Sequence, residues 1–514
     1  MTTATRRSAA SGTQHEVEHF DVVIIGAGIS GIGAAHYLAA EQPTKSFVVL
    51  EAREQLGGTW DLFRYPGIRS DSDLHTFGYE FEPWRDRESI AAAPRILDYL
   101  RETAQKRGLY RRLRCHRKVI AANWSTPTAR WTLEVENLET GETDQVTANW
   151  IFNATGYYRY DQGYTPTFEG VEDFAGQVVH PQHWPEDLDY AGKKVVVIGS
   201  GATAVTIVPA MAGTAEHVTM VQRTPTYVMA VPTTDPIAVL LTKVFGSERG
   251  YALTRRKNIA QQAAVWKFCQ RFPNAARKLI RRQNIKQLPD GYPVDEHFNP
   301  PYNPWEQRLC AVPDGDLFKV IKAGEASVVT DQIARFTHEG IELQSGRILE
   351  ADIIITATGL NLQMFGGAAI SVDGVPLVPR ETTIYRGMML TGVPNFALAI
   401  GYTNSSWTLK VGLLCEYFCR LLGHMDANGY DTARVELDPD LEKRPLLDFG
   451  AGYVQRALAD LPSQGPASPW LMSKSYQDDT RLLRSGDLVD KHLHLSGPSS
   501  RGHLTPVRTS EKTS

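Results

Sequence analysis

The chain is poor in the features that would tie it to a special habitat. Its 514 residues include five cysteines, at 115, 269, 310, 415 and 419, with no CxxC pair. That excludes a disulfide framework, a thiolate zinc site and a dithiol redox centre. Cys415 and Cys419, four apart, can share a helix face and are read as core packing. No apolar run reaches about eighteen residues, so no membrane span is predicted. There is no excess of positive charge either. The 54 Lys and Arg against 58 Asp and Glu leave a formal charge of −4, which gives nucleic acid no electrostatic hold. Arg6-Arg7 has no apolar segment behind it and is not read as an export signal. A reducing, cytoplasmic setting fits these absences. Residues 1–16 and 496–514, rich in Ser, Thr, Arg and Gly, are expected to be disordered tails. No pattern indicates an oligomeric state.

What is present begins at residues 20–35, FDVVIIGAGISGIGAA. A β-branched run predicts a buried parallel strand that feeds GxGxxG at Gly26, Gly28 and Gly31, then a small-residue helix. The three glycines allow a tight turn, backbone approach to a pyrophosphate, and close helix–strand packing. A second strand, FVVLEA, ends on Glu51, placed to accept hydrogen bonds from a ribose 2′-hydroxyl. The N-terminal position and the following GGTWDLFRYPGIRSD favour FAD. Gly57-Gly58 gives a turn that can lie against a flat ring system, and Trp60 can pack on it.

The pattern recurs at 194–205, KVVVIGSGATAV. Here GxGxxA falls on Gly199, Gly201 and Ala204, with Ser200, Ala202 and Thr203 completing the turn. The next strand, HVTMVQRTP, ends on Gln222 and Arg223 rather than on an acid. A guanidinium there can grip a 2′-phosphate, which selects NADPH over NADH. Thr203 and Thr224 are further hydrogen-bonding candidates. Two similar strands, IFNATGYY at 151–158 and IIITATGLN at 353–361, flank this second unit, each placed to end one domain as the chain crosses to another. Two dinucleotide sites imply hydride transfer from NADPH to flavin. The electron acceptor stays open among disulfide, quinone and dioxygen, although the missing CxxC speaks against disulfide chemistry.

Between the two units lies FAGQVVHPQHWP, residues 174–185. Its Phe174, Gly176, His180, Trp184 and Pro185 resemble the fingerprint of Baeyer–Villiger monooxygenases. The related flavin-containing monooxygenases typically carry Tyr where this chain has Trp184. The segments GGTWDLFRYPGIRSDSDLHTFGYEF, NPPYNPWEQRLC, DIIITATGLNLQMFGG and GYTNSSWTLK extend the resemblance to the ethionamide-monooxygenase branch over about residues 20–485. His180 and His183 lack a third ligand nearby, so no metal site is read there.

The resemblance implies an NADPH- and O2-dependent enzyme. It would insert one oxygen atom beside a ketone carbonyl through a C4a-peroxyflavin, giving an ester or lactone, and would also oxidise sulfides. Arg308, in WEQRLC, is implied as the fixed positive charge beside the reacting oxygen, with Asp71 facing it. IRSDSD also reads as a helix N-cap loop, and both roles can hold. Ser30, Glu51, Thr59, Trp60, Asp61, Leu62, Asp71 and Val119 are implied to lie against FAD, with Arg69 and Ser70 near NADP. Trp407 either packs near the nicotinamide, lines the substrate pocket or is a core residue. His180 is implied to belong to a hinge between the two nucleotide domains. Where many relatives carry Lys before the catalytic Arg, this chain has Gln307, which throws NADPH preference onto Arg223.

The expected fold is α/β, with two Rossmann-like dinucleotide-binding domains for FAD and NADP and a helical insertion in the latter. The FAD domain is discontinuous, at 17–158 and 370–495. The NADP domain spans 159–369, with the insertion at about 233–300. PDGYPVDEHFNPPYNP, leading to Arg308, is a candidate lid. Two other classes compete: an oxygenase of sulfides or amines, and a non-catalytic flavin-binding sensor. The expected partners are a small ketone or sulfide and dioxygen.

Overall fold

A computed structural model describes residues 17–307, 309–448 and 450–498. The predicted tail at 1–16 lies outside these, as does nearly all of the one at 496–514. Two sheets organise the chain. In the first, β1 (Glu18–Ile25) enters with Val22, Val23 and Ile24 fully buried and leads into α1 (Ile29–Glu41). β2 (Phe47–Leu50) and β3 (Thr143–Asn153) pair with β1 in parallel on either side. An antiparallel pair, Arg117–Ser125 and Arg130–Asn137, extends the sheet beyond β3.

The chain then leaves through β4 (Tyr158–Gly163) and builds the second sheet. Its strands are β5 (Gln177–Val179), β6 (Lys194–Ile198), β7 (His217–Gln222), β8 (Ala326–Thr330) and β9 (Ile353–Thr356), in the order β8-β7-β6-β9-β5. All pairings are parallel. A parallel sheet with both faces covered needs strands apolar on both sides, and Val195, Val196 and Val197 of β6 are all buried. α2 (Ala202–Met211) follows β6. The chain returns through β10 (Leu360–Leu362), which pairs antiparallel with β4. The outgoing and returning crossings thus form one two-stranded ribbon. After it, Ala369–Val372 and Phe396–Leu398 rejoin the first sheet.

Between β7 and β8 stand two long helices, α3 (Pro236–Arg271) and α4 (Pro273–Gln287). Asp235 caps α3 by accepting from the N–H groups of Ile237 and Ala238. Gly246, at φ 79° and ψ 170°, breaks α3 into two segments. Pro273 ends the run, since its ring cannot continue the helix. α3 folds back onto the first half of the molecule. The buried Arg255 guanidinium donates to the carbonyls of His75, Thr76 and Gly78 at 3.2, 3.1 and 2.8 Å, and so covers the end of the short helix Leu74–Phe77. α5 (Trp407–Asn428) packs along α1 in the core of the first half.

Candidate active site

The first phosphate loop depends on absent side chains. A Cβ on Gly26, which holds φ +98°, would sit 2.8 Å from the Ala154 carbonyl oxygen, and one on Gly31 would sit 1.9 Å from that of Gly26. Gly28 begins α1 and faces Gly58, whose own Cβ would lie 2.9 Å from the Gly28 Cα. Two bare backbones therefore meet at the helix N-terminus, a cradle suited to a pyrophosphate. Glu51 is buried beside it and accepts from the N–H of Ala27 at 2.6 Å and of Arg53 at 2.9 Å. Burial lifts its carboxyl above the usual range, against the pull of those two donors. The residues present fit FAD.

The second loop repeats the construction with a difference. A Cβ on Gly199, at φ +135°, would meet the Ala357 carbonyl oxygen at 2.4 Å. The two Ala-Thr-Gly segments, 154–156 and 357–359, thus press a carbonyl against the first glycine of each loop. The third position is Ala204, fully buried, so α2 stands far enough off to admit a methyl group. Gly201 begins α2, and no atom lies within 4 Å of where its Cβ would be. Ser200 is tied by its hydroxyl to the Thr224 carbonyl at 3.1 Å and to Thr226 at 2.7 Å. At the end of β7 the two candidates separate. Gln222 turns inward and donates to the His297 carbonyl at 2.8 Å and to Thr330 at 2.9 Å. Arg223 stays exposed, with no ion pair among the described residues.

The turn RYPGIRS carries the first half onto the second. Gly67, at φ +74°, packs so tightly on α2 that a Cβ would lie 2.6 Å from that of Ala210. Burial pushes the Tyr65 hydroxyl up to about 12, beside Thr203. Arg69 pairs with Asp316 of the second half, and buried Ser70 donates to the Ser72 carbonyl at 2.8 Å.

A cavity of about 1160 Å³ runs along this junction. Gly26, Gly28, Ser30 and Glu51 line it at the first loop; Thr59, Trp60, Asp71, Val119 and Trp407 line it further on. Trp407 begins α5, and its indole N–H donates to the Ser30 hydroxyl at 2.8 Å. Asp71 is exposed and accepts from Ser72 at 3.3 Å. Asp61 and Leu62 are not on the wall. Asp61 is buried and held by Arg53 and Gln55, each at 2.6 Å. Arg308 lies outside the described residues; Trp305 and Leu309, on either side of it, line the cavity.

The linker segment straddles the second sheet. Phe174 packs with Val196, Ile198 and Ile354 on one face, and Trp184 packs against Val195, Val197 and Ile355 on the other. Between them Gly176 approaches the β9 side so closely that a Cβ would lie 2.2 Å from the Asp352 carbonyl oxygen. His180 leans on the crossing ribbon. Its ring lies where a Cβ of Gly163 would be, 2.0 Å from Cε1, and its Nε2–H donates to the Gly359 carbonyl at 3.2 Å. Gln182 fastens the same ribbon by donating to the carbonyls of Arg159 and Tyr160 at 2.8 Å.

Several wall residues carry no sequence signal. Tyr160, on β4, lies 3.4 Å from the Thr59 hydroxyl, and burial pushes it up to about 12. Gln262 of α3 bridges Thr76 at 3.0 Å and Ser405 at 2.8 Å, joining the insertion to the NSSW turn. Tyr402 donates at 2.6 Å to Asp479, which also accepts from the fully buried Lys410 at 2.8 Å.

This arrangement has known counterparts. A family model described as flavin-binding monooxygenase-like matches residues 79–289, and one for an NAD(P)-binding Rossmann-like domain matches 24–86. The FAD-containing monooxygenase EthA of Mycobacterium tuberculosis (strain CDC 1551 / Oshkosh) is 53% identical over 481 residues, which covers 93% of this chain and 98% of the relative. The probable FAD-binding monooxygenase AlmA of Acinetobacter baylyi is 46% identical over 481 residues, covering 93% and 96%. Among solved structures, an oxidised steroid monooxygenase bound to NADP superposes with a TM-score of 0.72 at 24% identity, over 93% of this chain and 100% of that one. The two glycine cradles, the cavity between them and these extents of identity place the chain in the family of FAD-containing, flavin-binding monooxygenases.

Proposed function

We propose that this enzyme is a Baeyer–Villiger monooxygenase. With NADPH and dioxygen it converts a ketone to an ester or lactone, and it oxygenates sulfides as a second activity. The observation that carries this reading is the linker: Phe174 and Trp184 pack on opposite faces of the second sheet, Gly176 presses on the Asp352 carbonyl, and His180 ties the segment to the ribbon that joins the two nucleotide-binding halves. Bound FAD would supply the redox chemistry, a hydride acceptor for NADPH and an electron source for dioxygen.

The chain's own residues do the rest. Gly26, Gly28 and Gly58 would let backbone approach the flavin dinucleotide, and Glu51 would accept from its ribose. Gly199 and Gly201 do the same for NADPH, whose 2′-phosphate Arg223 grips. The Trp407–Ser30 hydrogen bond fixes an aromatic wall at the start of α1. Arg308 supplies a permanent positive charge for the negative charge that develops on the carbonyl oxygen, because a guanidinium keeps its proton near neutral pH. Asp71, on the same wall, orients that guanidinium. Trp305, Leu309 and the α3 side chains Asn258, Gln261 and Gln262, all on the cavity wall, exclude water from the reacting atoms. The reaction takes place within the fold described above, in a cytoplasmic setting.

The test offers the FAD-loaded enzyme a ketone or a sulfide with NADPH in air. Ester formed in step with NADPH consumed supports the reading. Sulfoxide formed with no ester from any ketone would instead make it a heteroatom oxygenase. NADPH consumption that yields hydrogen peroxide alone would reject both.

A further inference from the structure

Ten of the seventeen large apolar side chains that stand exposed among the described residues lie between Ile237 and Ile285, on α3, α4 and Phe272 between them. They are not scattered. Ile237, Leu240 and Val244 recur at i, i+3 and i+7 before the Gly246 break, so they share one helix face. Val265 and Phe268 begin a second stripe that continues to Phe272, whose ring meets that of Phe268 at 5.9 Å. Both stripes start at the cavity: Ile237 and Val265 line its wall while remaining 51% and 41% exposed. The mouth of the cavity therefore opens between two apolar ridges.

The same helices concentrate positive charge. They carry twelve Lys or Arg and a single acid, Glu248, in a chain whose formal charge is −4. A few of these cations serve the fold: Arg255 holds carbonyls, Lys257 pairs with Asp235 and Arg281 with Asp295. Lys243, Arg249, Lys267, Arg271, Lys278 and Arg282 are exposed, with no acidic partner among the described residues. Two copies of such a face would repel each other. Apolar ridges edged by cations match a boundary that is apolar inside and anionic at its rim. Among the described residues no helix is long and apolar enough to cross a membrane, so the match is to lying on a surface.

We propose that α3 and α4 dock this enzyme on an anionic lipid surface with the cavity mouth against the lipid. Lipophilic substrates then enter from the acyl region without crossing water. That entry route rests on the function proposed above; the docking does not.

The test is co-sedimentation of the full-length, FAD-loaded protein with phosphatidylcholine vesicles that contain or lack phosphatidylglycerol. The parent binds the anionic vesicles. The double variant Leu240→Glu/Phe268→Glu, neither residue being on the cavity wall, stays in the supernatant yet turns over a small water-soluble ketone at the parent rate. Lys243→Gln/Lys267→Gln weakens binding by roughly twenty-fivefold, about fivefold per cation. A parent that ignores both vesicle types overturns the proposal. So does a Leu240→Glu/Phe268→Glu variant that binds as the parent does, since that is charge adsorption without insertion. Failure to bind vesicles, with a dimer that dissolves in the same variant, would assign the ridges to a second copy. A parent inactive on every ketone would sink the functional reading and leave the vesicle result standing.

Discussion

The Nε2–H of His180 donates to the carbonyl of Gly359 at 3.2 Å, immediately before the strand that returns from the second half of the molecule. Its Nδ1 accepts from the Gln182 N–H at 3.1 Å. One neutral imidazole thus joins the linker to the ribbon of both crossings. Burial lowers the His180 pKa, so the folded protein binds this proton less well than the unfolded chain. The contribution is complete above about pH 6.5 and declines as pH falls towards the folded value. His180→Gln should therefore show a flatter melting temperature between about pH 5 and 7 than the parent. Its turnover should fall by roughly tenfold or more, with NADPH affinity little changed. A variant that loses NADPH binding in proportion to turnover would remove His180 from the junction.

The two glycine loops differ at one equivalent position. Gly31 has no room for a methyl group, whereas Ala204 already carries one. Gly31→Ala should give a colourless protein that has lost FAD. Ala204→Gly should bind NADPH within a few-fold of the parent, at a cost of about 1 kcal/mol to α2. The readouts are the visible flavin spectrum and an NADPH titration. A yellow, fully loaded Gly31→Ala protein would contradict the geometry.

In the proposed function, selection of NADPH falls on one side chain. Gln222 is committed to His297 and Thr330, while Arg223 is exposed. Arg223→Ala should raise KM for NADPH by roughly ten- to a hundredfold, as expected for a charge-assisted contact of about 1.5–3 kcal/mol. KM for NADH should hardly move. Equal changes in both would exclude a 2′-phosphate contact.

Lys410 and Asp479 form an ion pair sealed from solvent and share it with Tyr402 on the cavity wall. Lys410→Met leaves a buried carboxylate without its cation and should destabilise the fold by about 3–5 kcal/mol. Lys410→Met with Asp479→Leu should recover much of that loss, because both charges go together. Thermal melts of the three proteins decide it. A single variant as stable as the parent would contradict the pairing.

These four cases mark what the sequence could express. The glycine loops, their strands and the Glu51 carboxylate were legible because strand, turn and helix lie within a few dozen residues and each demands a particular residue type. The Ala-Thr-Gly repeats marked the crossings, but their carbonyls pressing on Gly26 and Gly199 needed three-dimensional strand order. Trp407 was left between core and pocket because its partner Ser30 is 377 residues away. The Lys410–Asp479 pair spans 69 residues and left no local trace. The carboxylate of Asp61, which the resemblance implies lies against FAD, is held by Arg53 and Gln55, partners that no local pattern marks. On α3 the segment Pro236–Phe245 was hard to see as a helix packed by an apolar face, since Leu240, Val244 and Phe245 point to solvent.

The most direct measurement is mass analysis of the product formed from a cyclic ketone and NADPH under 18O-labelled dioxygen, by the parent and by Arg308→Ala. The account predicts a lactone from the parent with one labelled atom, in the ring. The variant should still oxidise NADPH while lactone formation falls by roughly two to three orders of magnitude, the usual loss of a fixed charge at a reacting oxygen. An unlabelled product, a hydroxylated ketone, or lactone from Arg308→Ala at the parent rate would contradict it.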